Sequence, residues 1–293
     1  MRSVSISAFT LVRNATILDF PLEASIASVL PVVDEFVVNV GRSDDDTLAR
    51  VRAIADARLR IIESTWDPGL GTAMLATETQ RAMATCRFPW GIYIQADEVF
   101  AAGGAALVRD AIERHNADAQ VEGVLVDYVH FYGGFDTVAQ NRTWYRREVR
   151  AIRLDPALAV HSYRDAQGFR VGASNRRIRA VPSGAVMHHY GWARPAWALA
   201  AKRAEDRALD PARRQALDHR PLLPWFPGIK PFRGEHPAPV RDWIAARRTD
   251  ERLISPRRFE RQHLRLQLLG AIERMTGWRP FEFRNYREVK GEK

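Results

Sequence analysis

The first hundred residues contain four short apolar segments separated by helical patterns, and this alternation restricts the fold more than any other feature. The apolar segments at 4–10, 35–40, 60–63 and 91–94 are rich in residues that favour strands. Strands that alternate with helices predict an open, mostly parallel sheet with helices packed against it. We therefore predict an α/β fold.

Polar side chains follow three of these four predicted strands. Asn14 follows the first strand, and Asp97 and Glu98 follow the fourth. Asn39 lies at the end of the second strand, and the aspartates at 44–46 come after it. In an open α/β sheet, ligands bind beyond the carboxyl ends of the parallel strands. The sequence therefore predicts a ligand site at this edge of the sheet.

Adjacent carboxylates and a histidine pair are the candidate metal ligands. Asp97 and Glu98 suit a hard divalent cation, with phosphate oxygens completing its coordination, although acidic residues are also common in the first turn of a helix. His188 and His189 follow an apolar segment, and consecutive side chains of a strand point to opposite faces. At most one histidine can therefore reach the site, and a hydrogen-bonded packing role is the alternative.

The composition changes near residue 195, after which Ala, Arg and Leu dominate. We predict a domain at 1–195 and a helical C-terminal extension at 196–293 that packs on it. In the extension, the helical pattern at 257–275 places Leu264 and Leu268 on one side and arginines elsewhere. Such a helix suits an anionic membrane surface or docks on its own domain.

The charge of the chain indicates an anionic partner. The 44 Lys and Arg residues outnumber the 35 Asp and Glu residues, which gives a net charge of +9. A nucleotide diphosphate, a phosphorylated glycan, an anionic membrane and nucleic acid all fit this excess. Helix-turn-helix, RNA-recognition and zinc motifs are missing from the sequence, which argues against nucleic acid.

The cysteine content and the apolar segments predict a location. Cys86 is the single cysteine, so an internal disulfide is excluded, as is typical of a reducing compartment. We find no apolar run near the roughly 20 residues that a membrane-spanning helix needs, and no signal-peptide pattern at the start. We therefore expect a cytoplasmic protein, with contact to the inner face of the membrane as a further expectation.

Five segments within residues 3–200 stand out in order: FTLVRNA, FVVNVGRSDDDT, WGIYIQADEVF, WYRREVRAIRL and HHYGW. Together they resemble a family 2 glycosyltransferase of the GT-A fold, particularly the bacterial subgroup that builds lipopolysaccharide cores and related surface glycans. The resemblance implies metal-assisted, inverting transfer of a hexose from a nucleotide-diphosphate sugar to a surface-glycan or lipooligosaccharide acceptor. It implies Mn2+ or Mg2+ as the cofactor, and a nucleotide-sugar donor and a glycan or lipid-linked acceptor as partners.

The resemblance also implies roles for individual donor-binding residues. Thr10 and Arg13 would lie near the nucleotide, and Asp44 belongs to the Asp-rich turn that contacts the base and ribose. Asn39 stands where many members have an aspartate that reads uracil. This departure leaves the donor base open.

The metal-binding motif of the family is only partly present. Gln95 to Asp97 correspond to the DxD motif, with Gln95 in place of the first aspartate, so both are predicted to bind the donor and Asp97 the metal. His189 matches the histidine of the His-Tyr pair and is the second predicted metal ligand. Because Gln95, Asn39 and Ser162 depart from the pattern, a non-catalytic nucleotide-sugar or glycan-binding relative is the alternative.

An inverting displacement requires a carboxylate that takes the proton of the acceptor hydroxyl. The candidates are Glu148, Asp136 and Asp127, in that order, and a salt bridge to a neighbouring arginine is the alternative role for Glu148. In the subgroup a glutamate often follows a histidine where this chain has His161 and Ser162. The role of that glutamate has therefore moved in this chain or been lost.

Overall fold

The computed structural model describes residues 4–209, 222–247, 253–279 and 282–290. Within these residues, thirteen strands join one sheet. The earlier strands are β1 (Ile6–Val12), β2 (Glu35–Gly41), β3 (Leu59–Ser64), β4 (Trp90–Tyr93), β5 (Glu98–Phe100), β6 (Gly123–Tyr132) and β7 (Thr137–Ala139). The later strands are β8 (Arg147–Arg153), β9 (Val160–Tyr163), β10 (Gly168–Val171), β11 (Arg176–Trp192), β12 (Ile229–Pro231) and β13 (Tyr286–Glu288).

The centre of the sheet runs in the order β3-β2-β1-β4-β8-β6-β11. The strands β3, β2, β1 and β4 pair in parallel, whereas β8 is antiparallel to both β4 and β6. β6 therefore has the direction of β4, and β11 pairs in parallel with β6. Six of these seven strands point the same way, which confirms the predicted α/β fold with a mostly parallel sheet.

Helices cover both faces of this sheet. The α-helices are α1 (Leu22–Val29), α2 (Thr47–Arg52), α3 (Ala73–Ala84), α4 (Gly104–His115), α5 (Ala196–Leu209), α6 (Arg241–Ala245) and α7 (Arg261–Thr276). Side chains of β1 alternate between the two faces: Ile6 and Ala8 share a core cluster with α1 and α4, and Phe9 and Leu11 share another with α3. Every residue of β1 is thereby buried.

The segment between residues 160 and 184 is mostly strand, although its sequence shows no regular strand or helix pattern. It contains the antiparallel pair of β9 and β10 and the first half of the seventeen-residue β11. Glycines and Pro182 interrupt the apolar alternation, and these residues normally mark breaks. Here the register shift between Pro182 and Val186 lets β11 continue past the proline.

The predicted boundary at residue 195 falls in the short connection between β11 and α5. The predicted helical extension contains α5, α6 and α7, and it also adds two strands to the sheet. β12 pairs with β7, and β13 pairs with β11. Among the helices of the described segments, none is long and apolar enough to cross a membrane.

Candidate active site

A cavity of about 580 Å³ opens beyond the carboxyl ends of β1, β4, β6 and β11. This volume lies within the range of small-molecule and cofactor sites. The polar residues that line it are Arg13, Thr72, Gln95, Asp97, Thr143, Asp165, Gln167, His189, Lys202, Arg203, Glu205 and Asp206. The aromatic residues that line it are Phe20, Trp66, Tyr93, Tyr132, Trp144, Tyr145, Trp192 and Phe226.

Asp97 lies in the turn that follows β4, and its carboxylate lines this cavity. Its side chain is 10% exposed. Its Oδ2 atom accepts a hydrogen bond of 2.7 Å from the guanidinium of Arg194, which is fully buried, and lies 3.8 Å from Nε2 of His189. Burial raises the pKa of Asp97, but the positive charges around it, those of Arg194 and Lys202 among them, outweigh burial and hold the pKa below its ordinary value. Asp97 is therefore an anion at neutral pH.

A second histidine fixes the protonation pattern of His189. Nε2 of His130 lies 2.8 Å from the carbonyl oxygen of Tyr145, and its Nδ1 lies 2.9 Å from Nδ1 of His189. A carbonyl only accepts, so Nε2 of neutral His130 carries the proton and its Nδ1 accepts from Nδ1 of His189. Burial lowers the pKa of His189 and, to about 3, that of His130. The lone pair of His189 Nε2 is thereby directed towards Asp97.

The space between Asp97 and His189 is open because residue 191 is glycine. A Cβ atom at Gly191 would lie 2.5 Å from Nε2 of His189 and 3.1 Å from Oδ2 of Asp97. The two atoms are 3.8 Å apart, a separation that suits two ligands of one cation at about 2.2 Å each. No group of three or more candidate ligands occurs in the described ranges, so a cation here would take its other ligands from a diphosphate and water. The donor set fits a divalent cation on these terms.

Glu98, the other half of the acidic pair, has a structural role. Its carboxylate forms an ion pair of 2.7 Å with Arg150, and both side chains are fully buried. It also accepts hydrogen bonds from the hydroxyl of Tyr128 at 2.6 Å and from the backbone N–H of Gln95 at 3.0 Å. These contacts link the start of β5 to β8 and β6 and hold the residue 95–97 turn in place.

Of the predicted donor-binding residues, Arg13, Gln95 and Asp97 line the cavity. Arg13 forms an ion pair with Glu205 of α5, and its guanidinium lies 5.4 Å from the ring centre of Trp66. The amide of Gln95 donates to the hydroxyl of Tyr93 over 3.3 Å. The strand end after β1 and the turn after β4 thus meet at one cavity.

Thr10, Asn39 and Asp44 lie elsewhere. Thr10 is buried in β1, and Asn39 is buried in β2 with its amide bonded to Glu78 and Ser64. Asp44 is at the surface and pairs with Asn14, while its neighbour Asp45 lines a separate cavity of about 440 Å³. The amide group of Asn39 is therefore hydrogen-bonded within the protein.

The three predicted catalytic carboxylates lie outside the cavity lining. Asp127 forms an ion pair of 2.5 Å with Arg147, and Asp136 is exposed in the loop before β7. Glu148 is buried in β8, where Oε1 accepts from the amide of Asn285 and Oε2 has no partner. Burial raises its pKa to about 7, against the charge of Arg150 and the hydrogen bond from Asn285.

The structure brings three other carboxylates into the cavity that sequence reasoning missed, Asp165, Glu205 and Asp206. Asp165 is in the turn between β9 and β10, and Glu205 and Asp206 are in α5. Glu205 pairs with Arg13, whereas the carboxylates of Asp165 and Asp206 accept no hydrogen bond from the described residues. The positive φ angles of Arg164 and Ala166, 58° and 63°, hold Asp165 in a tight turn.

Comparison with known proteins places the chain near several solved structures. No family model and no curated protein matches the sequence. TarS 1–349 of S. aureus is 12% identical over 69% of this chain and 64% of that chain, with a TM-score of 0.39. The mannosyltransferase PcManGT of Pyrobaculum calidifontis, in complex with GDP-Man and Mn2+, is 20% identical over 42% of this chain and 35% of that one, with a TM-score of 0.34.

Glucosyl-3-phosphoglycerate synthase of Mycobacterium tuberculosis, in complex with Mn2+ and UDP-glucose, is a third similar structure. It is 20% identical over 43% of this chain and 44% of that one, with a TM-score of 0.31. The chain spans less than two thirds of each of these three proteins. All three TM-scores lie below 0.5, so a candidate function rests on the site itself.

Proposed function

We propose that this chain is a glycosyltransferase that moves a hexose from a nucleotide-diphosphate sugar to a surface-glycan or lipooligosaccharide acceptor, with a divalent cation and with inversion. One observation carries the proposal: Oδ2 of Asp97 and Nε2 of His189 face each other, 3.8 Å apart, across the gap at Gly191. Asp97 follows β4 and His189 lies near the carboxyl end of β11, so the pair is at the edge of the sheet where α/β folds bind nucleotides.

Three cations of the cavity lining could bind a diphosphate. Arg13, Lys202 and Arg203 line the cavity together with four carboxylates, Asp97, Asp165, Glu205 and Asp206, so a diphosphate would also need a divalent cation here. Guanidinium groups bind phosphate oxygens with two parallel hydrogen bonds. Trp144 and Trp192 add flat apolar surfaces that suit a sugar ring. The lining therefore combines the contacts that a nucleotide sugar needs.

Asp97 and His189 would hold the cation, which when bound would offset the negative charge of the departing diphosphate. Mg2+ prefers oxygen ligands, whereas imidazole nitrogen suits transition-metal ions, so this mixed pair favours Mn2+. Arg194 keeps Asp97 ionised and oriented, and His130 keeps the lone pair of His189 directed at the same space.

We propose Asp165 as the general base. In a direct displacement, the acceptor oxygen forms a bond to the anomeric carbon, the bond to the diphosphate breaks with its electron pair leaving on the diphosphate, and Asp165 takes the hydroxyl proton. Asp165 lines the cavity, and the left-handed residues Arg164 and Ala166 flank it, a kind of strain that clusters at functional sites. It also lies three residues after Ser162, the position where the resembling subgroup carries its glutamate.

The test is thermal stability against a panel of nucleotide diphosphates and nucleotide sugars, each with and without Mn2+, because a ligand that binds only the folded state raises the melting temperature. We expect a shift with one nucleotide that requires Mn2+ and is lost in Asp97→Asn. Asparagine keeps an oxygen that can accept from Arg194, and Asp110→Asn, at an exposed position of α4, is the matched control. An unchanged Mn2+-dependent shift in Asp97→Asn would refute the assignment.

A nucleotide-sugar or glycan-binding protein without turnover is the second candidate. The ion pair between Arg194 and the Oδ2 atom of Asp97 favours it, because a cation would share that oxygen with a guanidinium. Donor hydrolysis and transfer separate the two functions. Metal-dependent donor binding without any turnover of the donor would support the binding protein.

A further inference from the structure

Exposed apolar side chains concentrate in one segment of the molecule. In the part of the chain that the structure describes, ten large apolar side chains are extensively exposed, and six of them fall between residues 259 and 283. These six are Phe259, Leu264, Leu268, Met275, Trp278 and Phe283. Exposed apolar patches of this kind mark interaction sites.

The helix α7 in this segment is apolar on two opposite sides. Each residue turns the helix by about 100°, so Leu264, Leu268 and Met275 share one side, and Leu266 and Leu269 lie opposite them. The leucines at 266 and 269 are half-buried, whereas Leu264 is 60% and Leu268 is 65% exposed. The protein therefore covers one apolar side of α7 and leaves the other uncovered.

The covered side also holds the acidic residue of the helix. Glu273 pairs with Arg142 and Arg146, each at 3.5 Å, and with Arg279 at 3.4 Å. The ring of His263, which is 5% exposed, lies 5.8 Å from that of Trp225. The negative charge of α7 is thus neutralised where the helix docks.

The uncovered apolar side, by contrast, is bordered by arginines. Arg261 and Arg265 lie along one edge of it and Arg274 along the other, and all three are exposed. None of the three has an acidic partner among the described residues. Apolar side chains between unpaired cations complement a surface that is apolar inside and negatively charged at its face.

We propose that the uncovered side of α7 docks on an anionic membrane surface. The leucines enter the boundary between head groups and acyl chains, and the arginines bind the lipid phosphates. Trp278 and Phe283 extend the apolar side beyond the end of the helix, and aromatic rings favour this interface.

Docking in this way would bring the cavity to the membrane. Arg279 donates to the carbonyl oxygen of Trp144 at 3.1 Å, and the residues on either side of Trp225, Pro224 and Phe226, line the cavity as Trp144 does. The wall next to α7 is therefore the wall nearest the lipid. If the chain is the glycosyltransferase proposed above, the acceptor that fits a cavity at the membrane is a sugar carried on a lipid.

The experiment is cosedimentation of the full chain with vesicles of phosphatidylcholine alone or with about 30% phosphatidylglycerol. We expect binding to the anionic vesicles that weakens at high salt. Arg261→Gln/Arg265→Gln should lower the affinity roughly 25-fold, at about five-fold for each arginine. Leu264→Gln/Leu268→Gln should lower it at least about ten-fold.

Matched controls replace exposed residues of the same types elsewhere. Arg114→Gln/Arg177→Gln and Leu70→Gln/Leu107→Gln should bind as the unchanged chain does. Equal binding by all variants, or no binding to anionic vesicles, would overturn the proposal. A dimer in solution that Leu264→Gln/Leu268→Gln dissociates would also overturn it, because a second copy would then cover this side.

This result is independent of the transfer activity. The thermal shift with nucleotide and Mn2+ uses no membrane and should be the same in the α7 variants as in the unchanged chain. Vesicle binding without any nucleotide-dependent thermal shift would refute the proposed glycosyltransferase function and support membrane docking. A nucleotide-dependent shift without vesicle binding would support the proposed function and refute membrane docking.

Discussion

The two walls of the cavity differ in how their polar groups are held. The strand-end wall is formed by Arg13, Gln95, Asp97 and His189. Arg13 follows β1, Gln95 and Asp97 follow β4, and His189 lies near the end of β11. The groups of this wall have buried or aromatic partners, such as Arg194 for Asp97. The later wall, formed by residues within 165–167, 202–209 and 223–226, carries Asp165 and Asp206, which accept no hydrogen bond from the described residues, and Glu205, which pairs with Arg13.

This difference separates two tasks. A group with fixed partners keeps its charge and direction, which suits binding of a cation and a diphosphate. A carboxylate without partners can take a proton without breaking a network, which suits a general base. We infer that the strand-end wall binds the donor and that the later wall carries the base.

The largest expected effect tests the later wall. Asp165→Asn removes the proposed base, and we expect the kcat of transfer to fall by about 1,000-fold, within the range for loss of a general base. The Mn2+-dependent thermal shift with donor should persist, because the strand-end wall is unchanged. Steady-state and single-turnover transfer assays measure the loss.

Asp206→Asn is the matched control, since Asp206 also lines the cavity without a hydrogen bond. Its kcat should stay within about three-fold of the unchanged chain. A large loss in Asp206→Asn together with full activity of Asp165→Asn would exchange the two roles. Full activity of both variants would contradict a base on the later wall.

The next effect tests the strand-end wall at its gap. Gly191→Ala places a Cβ atom 2.5 Å from Nε2 of His189, so the ligand pair must shift apart or lose its cation. We expect Mn2+-dependent donor binding to weaken by roughly 100-fold. Titration of Mn2+ at fixed nucleotide, followed by calorimetry, gives the value.

Gly134→Ala is the control for that titration. A Cβ atom at Gly134 would meet only the hydroxyl of Thr137, at 3.9 Å. This variant should bind Mn2+ and donor as the unchanged chain does. Normal Mn2+ binding by Gly191→Ala would mean that the cation does not occupy the gap.

A smaller effect tests the histidine that orients His189. His130→Phe keeps the ring volume but removes the acceptor for Nδ1–H of His189, so the lone pair at Nε2 is no longer fixed. Loss of such a partner typically lowers metal affinity by about 10- to 100-fold, and we expect the lower half of this range. Apparent Mn2+ affinity in the presence of nucleotide is the measurement.

His188→Phe controls for the loss of a buried histidine, because His188 packs beside Phe131 on the opposite face of β11. Its Mn2+ affinity should not change. If both variants lost the same affinity, the effect of His130 would come from packing and not from the protonation pattern of His189.

The strand-end wall could largely be predicted from the sequence, and the later wall could not. Asp97 follows an apolar segment directly, so local pattern and motif order both place it at a strand end. Asp165 lies in a segment whose glycines and arginines conceal β9 and β10. Asp206 belongs to α5, whose helical pattern does not show that it turns back over the cavity.

The partners of the site residues also depend on contacts that are distant in sequence. Arg150 is one of several arginines in its strand, and the position of β8 beside β4 brings it to Glu98, which starts β5 and is 52 residues away. His130 belongs to an apolar strand, and only its pairing with β11 sets it beside His189. Residue types predicted the chemistry of the site, and the order of the strands determined which of these residues contact one another.

The smallest expected effect concerns Glu148, the first carboxylate that the sequence proposes as the base. Burial raises its pKa to about 7 from an ordinary value of 4.5. Between these values the unfolded chain releases this proton while the folded chain keeps it, so the folded state loses stability as the pH rises from 4.5 to 7. A shift of this size corresponds to about 3 kcal/mol above pH 7.

Glu148→Gln removes this dependence, because glutamine resembles the protonated side chain and can still accept from the amide of Asn285. We expect the melting temperature of the variant to match the unchanged chain at pH 5 and to exceed it by about 5 °C at pH 8. Asp110→Asn, at an exposed position of α4, should show no such pH dependence. A constant difference between Glu148→Gln and the unchanged chain from pH 5 to 8 would mean that Glu148 is ionised in the fold.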